Sequence, residues 1–393
     1  MVFLSLMLAL TGSTGSYPVA GGVMALFGLT SSLLSPVRAR LIDRHGPHRI
    51  LPPMAAAYAL LLVGLAAATW RPGAPVVLLG ALTVAAGACT PPLGPVMRAL
   101  WSDLLPDRRL LQRAYSLDTV AEELLFVTGP LLAGLLAQFA TPALGVAVSA
   151  GLVLTGTLAL VSSPAVREPA ADRVEHGSDR DPLDVDGSDP DLLPVLPRHQ
   201  RLRGGAGLRR PLVISAGVGM CLGALSLLVV AFAEQHHHMA AAAWPEAALA
   251  VGSAIGGLAH GAFPWRLPGR VRLPMLAAGL GLILATAGLS PNLYVLVAVM
   301  SAAGLFVAPA LTTAYLIADE SAAPDARTQA GAWVNTAFNT GSSGGTAAVG
   351  LLLGRLPLAL CFAVAAAPAL LSAVTALGRP GGRGFPGRIM RDR

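Results

Sequence analysis

The chain has 393 residues, of which 54% are hydrophobic and 12% charged, and its mean hydropathy is +0.65. Soluble domains carry roughly a quarter of charged residues, so this composition excludes an ordinary water-soluble protein. It also excludes a disordered chain, a collagen and a small secreted domain held by disulfides. Apolar stretches repeatedly reach about twenty residues, the length that crosses a bilayer as a helix, and they predict a polytopic membrane protein.

The net charge of +6 does not indicate a nucleic-acid-binding protein, because all 27 basic residues are arginines and nearly all flank apolar stretches. The three cysteines, Cys89, Cys221 and Cys361, lie singly in apolar stretches. Their spacing predicts neither a disulfide nor a zinc site. Three consecutive histidines, His236 to His238, cannot all face one ion. We therefore expect no metal and no cofactor.

The predicted elements begin with a short apolar stretch, Met1 to Leu10, about half the length that a membrane helix needs. A signal peptide is the alternative, but no basic residues precede the stretch. We expect a twelfth, N-terminal helix truncated by a late start site, with further residues upstream of Met1 in the natural reading frame. Eleven full spans are predicted after it: Tyr17 to Val37, Ile50 to Trp70, Pro75 to Leu100, Ala114 to Phe139, Pro142 to Ser162, Pro211 to Ala233, Pro245 to Phe263, Leu273 to Leu289, Leu293 to Ile317, Ala330 to Gly354 and Leu356 to Leu377.

Arginines between the spans predict their orientation. They are frequent after the spans that begin at Tyr17, Pro75 and Pro245, and they are almost absent from the alternate loops. By the positive-inside rule, the arginine-rich side and the C-terminus are cytoplasmic. The arginines that support this assignment are Arg38, Arg40, Arg44, Arg49, Arg108, Arg109, Arg113, Arg266, Arg270 and Arg272.

A polar central segment divides the chain. Residues 163–208 hold nine of the 21 acidic residues and many Gly and Pro, with little that could form a core. Such a composition is typical of a flexible, solvated linker. We predict an N-terminal transmembrane bundle over residues 1–162, a cytoplasmic linker over 163–208, a C-terminal transmembrane bundle over 209–378 and a cytoplasmic tail over 379–393.

The two halves of the sequence match at spaced positions. The segment from Pro47 to Ala57 matches the one from Pro268 to Ala278 at an offset of 221, which is 268 minus 47. Two shorter matches follow in the same order, Ala85-Ala-Gly87 with Ala302-Ala-Gly304 at an offset of 217, and Pro106-Asp107 with Pro324-Asp325 at 218. Two bundles of six helices related by duplication are typical of a transporter whose site lies near the midplane between them.

The loop after the predicted Tyr17 span carries a motif of the form Gly-x-Leu-x-Asp-Arg-x-Gly-x-x-Arg. The chain matches it at Leu41, Asp43, Arg44, Gly46 and Arg49, with Ala39 in place of the first glycine. In these residues the chain resembles the major facilitator superfamily, and the resemblance covers essentially its whole length. It implies an all-α polytopic membrane fold of twelve transmembrane helices in two pseudo-symmetric six-helix bundles, the first helix being truncated.

A second pattern lies in the predicted fifth helix. Gly129-Pro130-Leu-Leu-Ala133-Gly134 approaches the Gly-Pro-x-x-Gly-Gly pattern of proton-coupled exporters in this family. The sequence departs from that pattern at Ala133, and Leu125 replaces an upstream glycine. The resemblance at Gly129, Pro130 and Gly134 implies export in exchange for protons.

Asp43 and the charged residues of its loop are candidates for a gate. A carboxylate at the end of one helix, near the positive N-terminus of another, forms a contact that can break and re-form. In the resembled family this loop contacts the eleventh helix and biases outward against inward states. The resemblance therefore implies a gating role for Asp43, Arg44, Gly46 and Arg49, and the alternative is that they are ordinary cytoplasmic loop charges.

One predicted span carries a cluster of acidic residues, Asp118, Glu122 and Glu123. Ionisable groups inside a membrane span are costly and are functional candidates. Asp118 and Glu122 share a helix face, and Glu123 is turned about 100° away. Two carboxylates on one face in a low dielectric disfavour each other's ionisation, so one could exchange a proton near neutral pH. The alternative is that Asp118 pairs with Arg113 and a glutamate bonds a neighbouring helix.

The equivalent helix of the second half carries Asn335, Thr336 and Asn339 instead of acids. These neutral hydrogen-bonding groups are candidates for lining a substrate site, and the alternative is that they join neighbouring helices. Arg98 and His260, together with Trp265, are expected to anchor the chain at the membrane surface.

The sequence contains no phosphate-binding loop, nucleophile elbow or His-Glu-x-x-His motif, so it predicts neither an ATP-driven pump nor a membrane hydrolase, and no enzyme. The leading hypothesis is a monomeric secondary active transporter of the plasma membrane that exports small organic compounds by alternating access. Its partners would be a small-molecule substrate, the proton gradient and the lipid bilayer. The alternatives are a proton-coupled uptake permease and a non-transporting membrane sensor or assembly protein.

Overall fold

The computed structural model describes residues 1–70, 73–105, 107–163, 206–236, 241, 243–263, 265 and 267–377. Apart from one isolated bridge between Leu353 and Leu356, these residues form helices and the connections between them. A short 3-10 turn, Pro324–Ala326, precedes the penultimate helix. The helices are α1 (Val2–Thr14), α2 (Tyr17–His45), α3 (Pro47–Thr69), α4 (Val76–Cys89), α5 (Leu93–Leu104), α6 (Arg108–Phe139), α7 (Pro142–Ser162), α8 (Ala206–Gln235), α9 (Ala243–Ala262), α10 (Gly269–Ala287), α11 (Leu293–Ser321), α12 (Arg327–Leu352) and α13 (Leu358–Leu377).

The described residues contain twelve helical segments when α4 and α5 are counted together as one interrupted span over Val76–Leu104. Nine spans in the described residues are long and apolar enough to cross a membrane, and α1 is a shorter apolar helix of 13 residues. Helices α9 and α12 have sufficient length, but small and polar residues make them less apolar. The predicted all-α membrane fold with a short first helix is confirmed.

Several helices extend beyond the apolar stretches from which they were predicted. Helix α2 continues past Val37 to His45 because no helix-breaking residue intervenes. It ends at Gly46, whose φ of 84° is readily adopted only by glycine, and α3 begins at Pro47. Arg38, interpreted from the sequence as a loop charge, is therefore a buried residue inside α2. That interpretation is wrong for Arg38 and also for Arg272, which is buried inside α10, and the orientation now depends on the remaining arginines.

The interruption between α4 and α5 is explained by two consecutive prolines. Pro91 and Pro92 remove two backbone donors, and their rings exclude the preceding helical turn. The offset of 217 relates Pro92 to Pro309, since 92 plus 217 is 309, and Pro309 lies inside the continuous helix α11. Pro91 corresponds to Ala308. Helix α11 thus accommodates a single proline, whereas the two consecutive prolines interrupt the helix between α4 and α5.

Helices α8 and α12 pack backbone against backbone. Gly219 and Gly223 of α8 lie four residues apart, as do Gly341 and Gly345 of α12. A Cβ atom at any of the four would collide with a backbone carbonyl of the other helix. Small residues at this spacing let membrane helices approach closely. We call this contact the glycine interlock.

Each half has its own hydrophobic core, and the larger of the two lies in the second half. The halves meet where α2 and α5 pack on α12, and where α6 packs on α9 and α11. The predicted linker lies almost entirely outside the described residues, and the predicted tail over residues 379–393 lies entirely outside them. The boundaries of the four predicted units remain predictions.

Candidate functional site

A cavity of about 230 Å³ lies between the two halves, beside the interruption between α4 and α5. It is lined by α2, by the interruption and the start of α5, by α6 and by α12. All three residues predicted to line a substrate site contribute to it, together with Glu122. The lining residues are Ser31, Ser32, Ser35, Arg38, Thr90, Pro91, Pro92, Leu93, Gly94, Pro95, Glu122, Asn335, Thr336 and Asn339.

The polar residues of α12 both line the cavity and connect helices. The Nδ2 of Asn339 donates to Oδ1 of Asn335 over 3.2 Å. The Thr336 hydroxyl donates to the carbonyl oxygen of Ser32 over 2.9 Å and joins α12 to α2. The predicted lining residues therefore share one wall, and Thr336 also forms the interhelical contact that was the alternative.

A buried cation organises the acidic residues of α6. The Arg98 side chain on α5 is 3% exposed, and its Nε lies 2.9 Å from Oδ2 of Asp118. Its Nη2 lies 2.5 Å from Oε2 of Glu122. On its other side, the guanidinium carbon is 3.8 Å from the ring centre of Tyr315 in α11, a cation–π geometry.

This arrangement corrects two sequence interpretations. Arg98 is not an anchor at the membrane surface, because α5 directs it inward onto the acidic face of α6. The partner of Asp118 is Arg98, and the alternative pairing with Arg113 is wrong. The hydroxyl of buried Tyr115 donates to the Arg98 carbonyl oxygen over 2.9 Å and fixes α5 against α6.

One guanidinium faces two carboxylates, so the cluster of Arg98, Asp118 and Glu122 carries one excess negative charge when all three are ionised. Protonation of one carboxylate makes it neutral, which lowers the cost of keeping it in a low dielectric. Glu122 is the more accessible acid, with 38% of its side chain exposed against 17% for Asp118. The close approach of Glu122 to the start of α5 needs glycine at position 94, since a Cβ there would lie 2.9 Å from Oε1.

Glu123 has a different environment from Glu122. It receives a hydrogen bond of 2.9 Å from the hydroxyl of Ser253 in α9, across the contact between the halves. It does not line the cavity. The turn of about 100° between successive helical residues separates the two glutamates. The structure thus assigns the three predicted proton-coupling residues to two distinct places.

Asp43 lies at the N-terminus of α12, the eleventh span. Its Oδ1 and Oδ2 accept hydrogen bonds from the backbone N–H groups of Thr328, at 3.2 Å, and Gln329, at 2.9 Å. These donors belong to the first turn of the helix, where backbone N–H groups have no intrahelical acceptor and the helix dipole favours an anion. Asp43 therefore joins α2 of one half to α12 of the other, as the sequence motif implied.

The other residues of the predicted gate have separate positions. Gly46 forms the turn between α2 and α3. Arg44 and Arg49 are exposed near the ends of these helices, and neither shows an ion pair with another described residue. Among these four residues, Asp43 is the one whose side chain hydrogen-bonds to the second half within the described residues.

Sequence reasoning missed a polar network between the halves at the same end of the molecule. Arg327 at the start of α12 pairs with Asp103 over 2.7 Å and lies 3.7 Å from Asp319. The Ser102 hydroxyl donates to Asp319 over 2.7 Å. Arg108 pairs with Glu320. The repeat offered a signal, because 319 minus 102 is 217, so Ser102 and Asp319 are equivalent positions.

His260 is a further correction to the predicted surface anchors. It is buried, and its carbonyl oxygen accepts from Nε2 of Gln112 at 2.7 Å and Nε1 of Trp265 at 3.1 Å. The face of α9 that carries His260 packs closely on α6, because a Cβ atom at Gly257 or Gly261 would contact α6 side chains. Trp265 itself is exposed.

The helix-five motif does not reach the cavity. Gly129 is buried against the start of α1, where a Cβ would lie 2.6 Å from the Met1 nitrogen, whereas Pro130 is exposed and Gly134 faces open space. Within the part of the chain that the structure describes, no group of three His, Cys, Asp or Glu side chains could hold a metal ion. His237 and His238 lie outside the described residues.

Two halves of six helical segments around a central polar cavity define a membrane transporter fold. The chain belongs to the Major Facilitator Superfamily, whose family model matches residues 1–290. No curated protein matches the sequence significantly.

Three solved structures illustrate the fold. The human organic anion transporter MFSD10 (TETRAN) is similar with a TM-score of 0.68 and 14% identity, over 95% of this chain and 97% of that one. The transporter FucP in the outward conformation gives 0.59 and 14%, over 95% and 96%. A bacterial homologue of the iron transporter ferroportin in an outward-facing state gives 0.65 and 15%, over 96% and 97%. At these identities the likeness shows the fold.

Proposed function

We propose that the protein is a secondary active transporter that moves small organic compounds by alternating access, coupled to protons, in the direction of export. The observation that carries the coupling is the cluster of Arg98, Asp118 and Glu122 at the cavity wall. In this cluster, Glu122 lines the cavity and is bound by Arg98, which also pairs with Asp118.

Glu122 is the proposed proton site. When Glu122 takes a proton, Arg98 keeps Asp118, so a neutral pair remains in the interior instead of an unpaired charge. When Glu122 loses the proton, Arg98 is shared between the two carboxylates and the cluster carries one negative charge. Because Glu122 lines the cavity, alternating access changes the side from which the proton arrives or departs. Glu123, bonded to Ser253, is proposed to tune this exchange.

The proposed gate is the contact of Asp43 with α12. Every polar contact between the halves described above lies at the level of the cavity or towards the loop between α2 and α3. That end is the cytoplasmic end by the positive-inside rule. We infer that the structure represents an outward-facing state. Opening to the cytoplasm would require the bonds of Asp43, Arg327 and Arg108 to break.

The direction of transport has two candidates. Export is supported by the resemblance of Gly129, Pro130 and Gly134 to the pattern of proton-coupled exporters. Proton-coupled uptake is favoured by a different observation, the cation Arg38 at the cavity wall, which forms no ion pair with an acid among the described residues. A proton and an anion that enter one cavity compensate each other's charge, which favours movement in the same direction.

We propose the plasma membrane as the location, with a cytoplasmic C-terminus and a monomeric transporter.

The test is flux in proteoliposomes that contain the full chain, under a pH gradient imposed in either orientation. The substrates are a panel of hydrophobic cations, sugars and small organic anions. Accumulation that follows the gradient and collapses with a protonophore would support proton coupling, and the productive orientation would distinguish export from uptake. Facilitated flux that ignores the gradient would contradict the coupling, and the absence of any protein-dependent flux would contradict transport of these classes.

A further inference from the structure

Arg38 occupies an unusual position for an arginine of a membrane helix. It lies in α2, is 7% exposed and lines the cavity. Its Nη1 donates to the carbonyl oxygens of Gly87, at 2.5 Å, and Ala88, at 2.9 Å. Its Nη2 donates to the carbonyl oxygen of Ser31 at 2.6 Å. All of these acceptors are neutral backbone groups, so the guanidinium is held rigidly without losing its charge.

The structure supplies no carboxylate to neutralise Arg38. No Asp or Glu side chain among the described residues lies within ion-pair distance of it. Glu122 is the acid that lines the cavity, and Arg98 binds it. The Nε of Arg38 is also buried without a hydrogen-bond partner. A buried cation with an unused donor is costly unless something in the cavity compensates it.

The interruption between α4 and α5 adds a second positive feature. Arg38 bonds carbonyl groups at the C-terminal end of α4, where the helix dipole is negative. The N-terminus of the twelve-residue helix α5 lies at the cavity, since Leu93, Gly94 and Pro95 line it. Discontinuous transporter helices turn such N-termini towards anionic substrate groups. Of the three lining residues, Leu93 donates its N–H to the Pro91 carbonyl and Pro95 has none, so Gly94 offers the free backbone donor, and Glu122 approaches it. The cavity thus has a fixed cation in Arg38 and a helix end that it shares with Glu122, whose charge Arg98 compensates.

We propose that this cavity binds a small organic carboxylate, whose anionic group lies between the Arg38 guanidinium and the N-terminus of α5. This inference names the substrate class of the proposed transporter. Transport of the carboxylate rests on the proposed function, whereas its binding to the cavity does not. A guanidinium binds a carboxylate through charge-assisted hydrogen bonds, and a second, neutral wall carries Asn335, Thr336 and Asn339 for the remaining polar groups of the ligand.

The size of the cavity limits the ligand. Its volume of about 230 Å³ is below the roughly 300 to 1,000 Å³ of pockets for drug-sized molecules. The lining is rich in hydroxyl groups, with Ser31, Ser32 and Ser35 on α2. A compact, hydrophilic carboxylate fits these features better than a large hydrophobic drug.

The test is equilibrium binding to the purified full chain in detergent, with no gradient, read as ligand-induced thermal stabilisation. The probes are lactate, pyruvate and benzoate, each compared with its neutral amide, together with benzylamine and chloride. We expect at least one carboxylate to bind more tightly than its amide by about tenfold or more, since a charge-assisted hydrogen bond contributes at least that factor. Carboxylates that bind no better than their amides, or binding of benzylamine or chloride alone, would overturn the proposal.

Three variants on one helix locate the interaction. Arg38→Gln should abolish the preference for the carboxylate, Arg38→Lys should retain part of it, and Arg40→Gln, at an exposed position, should leave it unchanged. If Arg38→Gln does not fold, the comparison of carboxylate with amide in the parent protein still decides. Carboxylate preference that survives in folded Arg38→Gln would overturn the assignment. Binding without gradient-driven flux would instead contradict the proposed transport and leave this inference standing.

Discussion

Arg98 and Tyr315 occupy equivalent positions in the two halves of the chain, and they touch each other. The difference 315 minus 98 is 217, the offset that also relates Ala85 to Ala302, and the guanidinium carbon lies 3.8 Å from the ring centre. Residues related by duplication can meet in this way only beside the axis that relates the halves. Arg98 of α5 and Tyr315 of α11 therefore meet beside that axis.

The same offset shows how the halves have diverged in chemistry. Asp118 corresponds to Asn335 and Glu122 to Asn339, since 335 minus 118 and 339 minus 122 are both 217. Each pair has a spacing of four residues, so each presents two polar groups on one helix face. The first half carries acids that can titrate, and the second carries amides that cannot.

We predict that Glu122→Gln abolishes gradient-driven flux while exchange or downhill movement persists. Glutamine keeps the shape and the hydrogen-bonding capacity of the side chain but cannot exchange a proton. The measurement is flux in proteoliposomes with and without a pH gradient. Glu246→Gln, an exposed acid at the start of α9, is the matched control and should behave as the parent. Uphill flux by Glu122→Gln at the parental rate would direct the search to Glu123 or Asp118.

We predict that Arg98→Gln destabilises the protein by about 3–5 kcal/mol, because it leaves two carboxylates without a cation in the interior. The double variant Arg98→Gln with Asp118→Asn should recover part of this loss, since it removes one stranded charge. Unfolding temperatures in detergent for the parent, both single variants and the double variant measure the coupling. Equal stability of Arg98→Gln and the parent would mean that the cluster is hydrated instead of buried.

We predict that Asp43→Asn leaves folding intact but impairs transport. The substitution removes the charge that the α12 N-terminus stabilises, an effect of about 0.3–2 kcal/mol, and it removes no core contact. Transport rate at matched expression is the measurement. Glu246→Gln, which removes an exposed charge at the start of α9, is the control and should transport as the parent does. A normal rate for Asp43→Asn would argue that the contact is structural and does not gate.

We predict that Gly46→Ala destabilises the turn between α2 and α3 by about 1–3 kcal/mol, because its φ of 84° and ψ of 148° lie in a region almost restricted to glycine. Gly28→Ala in the same helix is the control, since a Cβ there meets open space. It should be neutral or stabilise the helix by about 1 kcal/mol. Thermal unfolding of both variants would show the contrast, and equal unfolding temperatures would refute it.

The spans could be predicted from the sequence because their number depends on the length and hydropathy of local segments. The contact of Asp43 with the eleventh helix was also predictable, because the motif in the loop after the second helix implied it. The ion pairs of Arg98 did not, because an arginine beside an apolar stretch is most often a surface anchor, and its acidic partners become neighbours only after the helices pack. Arg38 was missed for the same reason. The interruption of α4 and α5 was visible in Pro91-Pro92, but a continuous hydropathy profile concealed it.

The glycine interlock has a consequence for how a signal could travel through the second half. Backbones in direct contact leave no side-chain layer that could absorb a displacement, so α8 and α12 are expected to tilt together as one stiff lever. One end of that lever is held by Asp43, and Asn339, near its centre, lies at the cavity between the contact residues Phe338 and Gly341. A ligand in the cavity would then change the tilt of α12 directly at the end that Asp43 holds, without a chain of intermediate side chains.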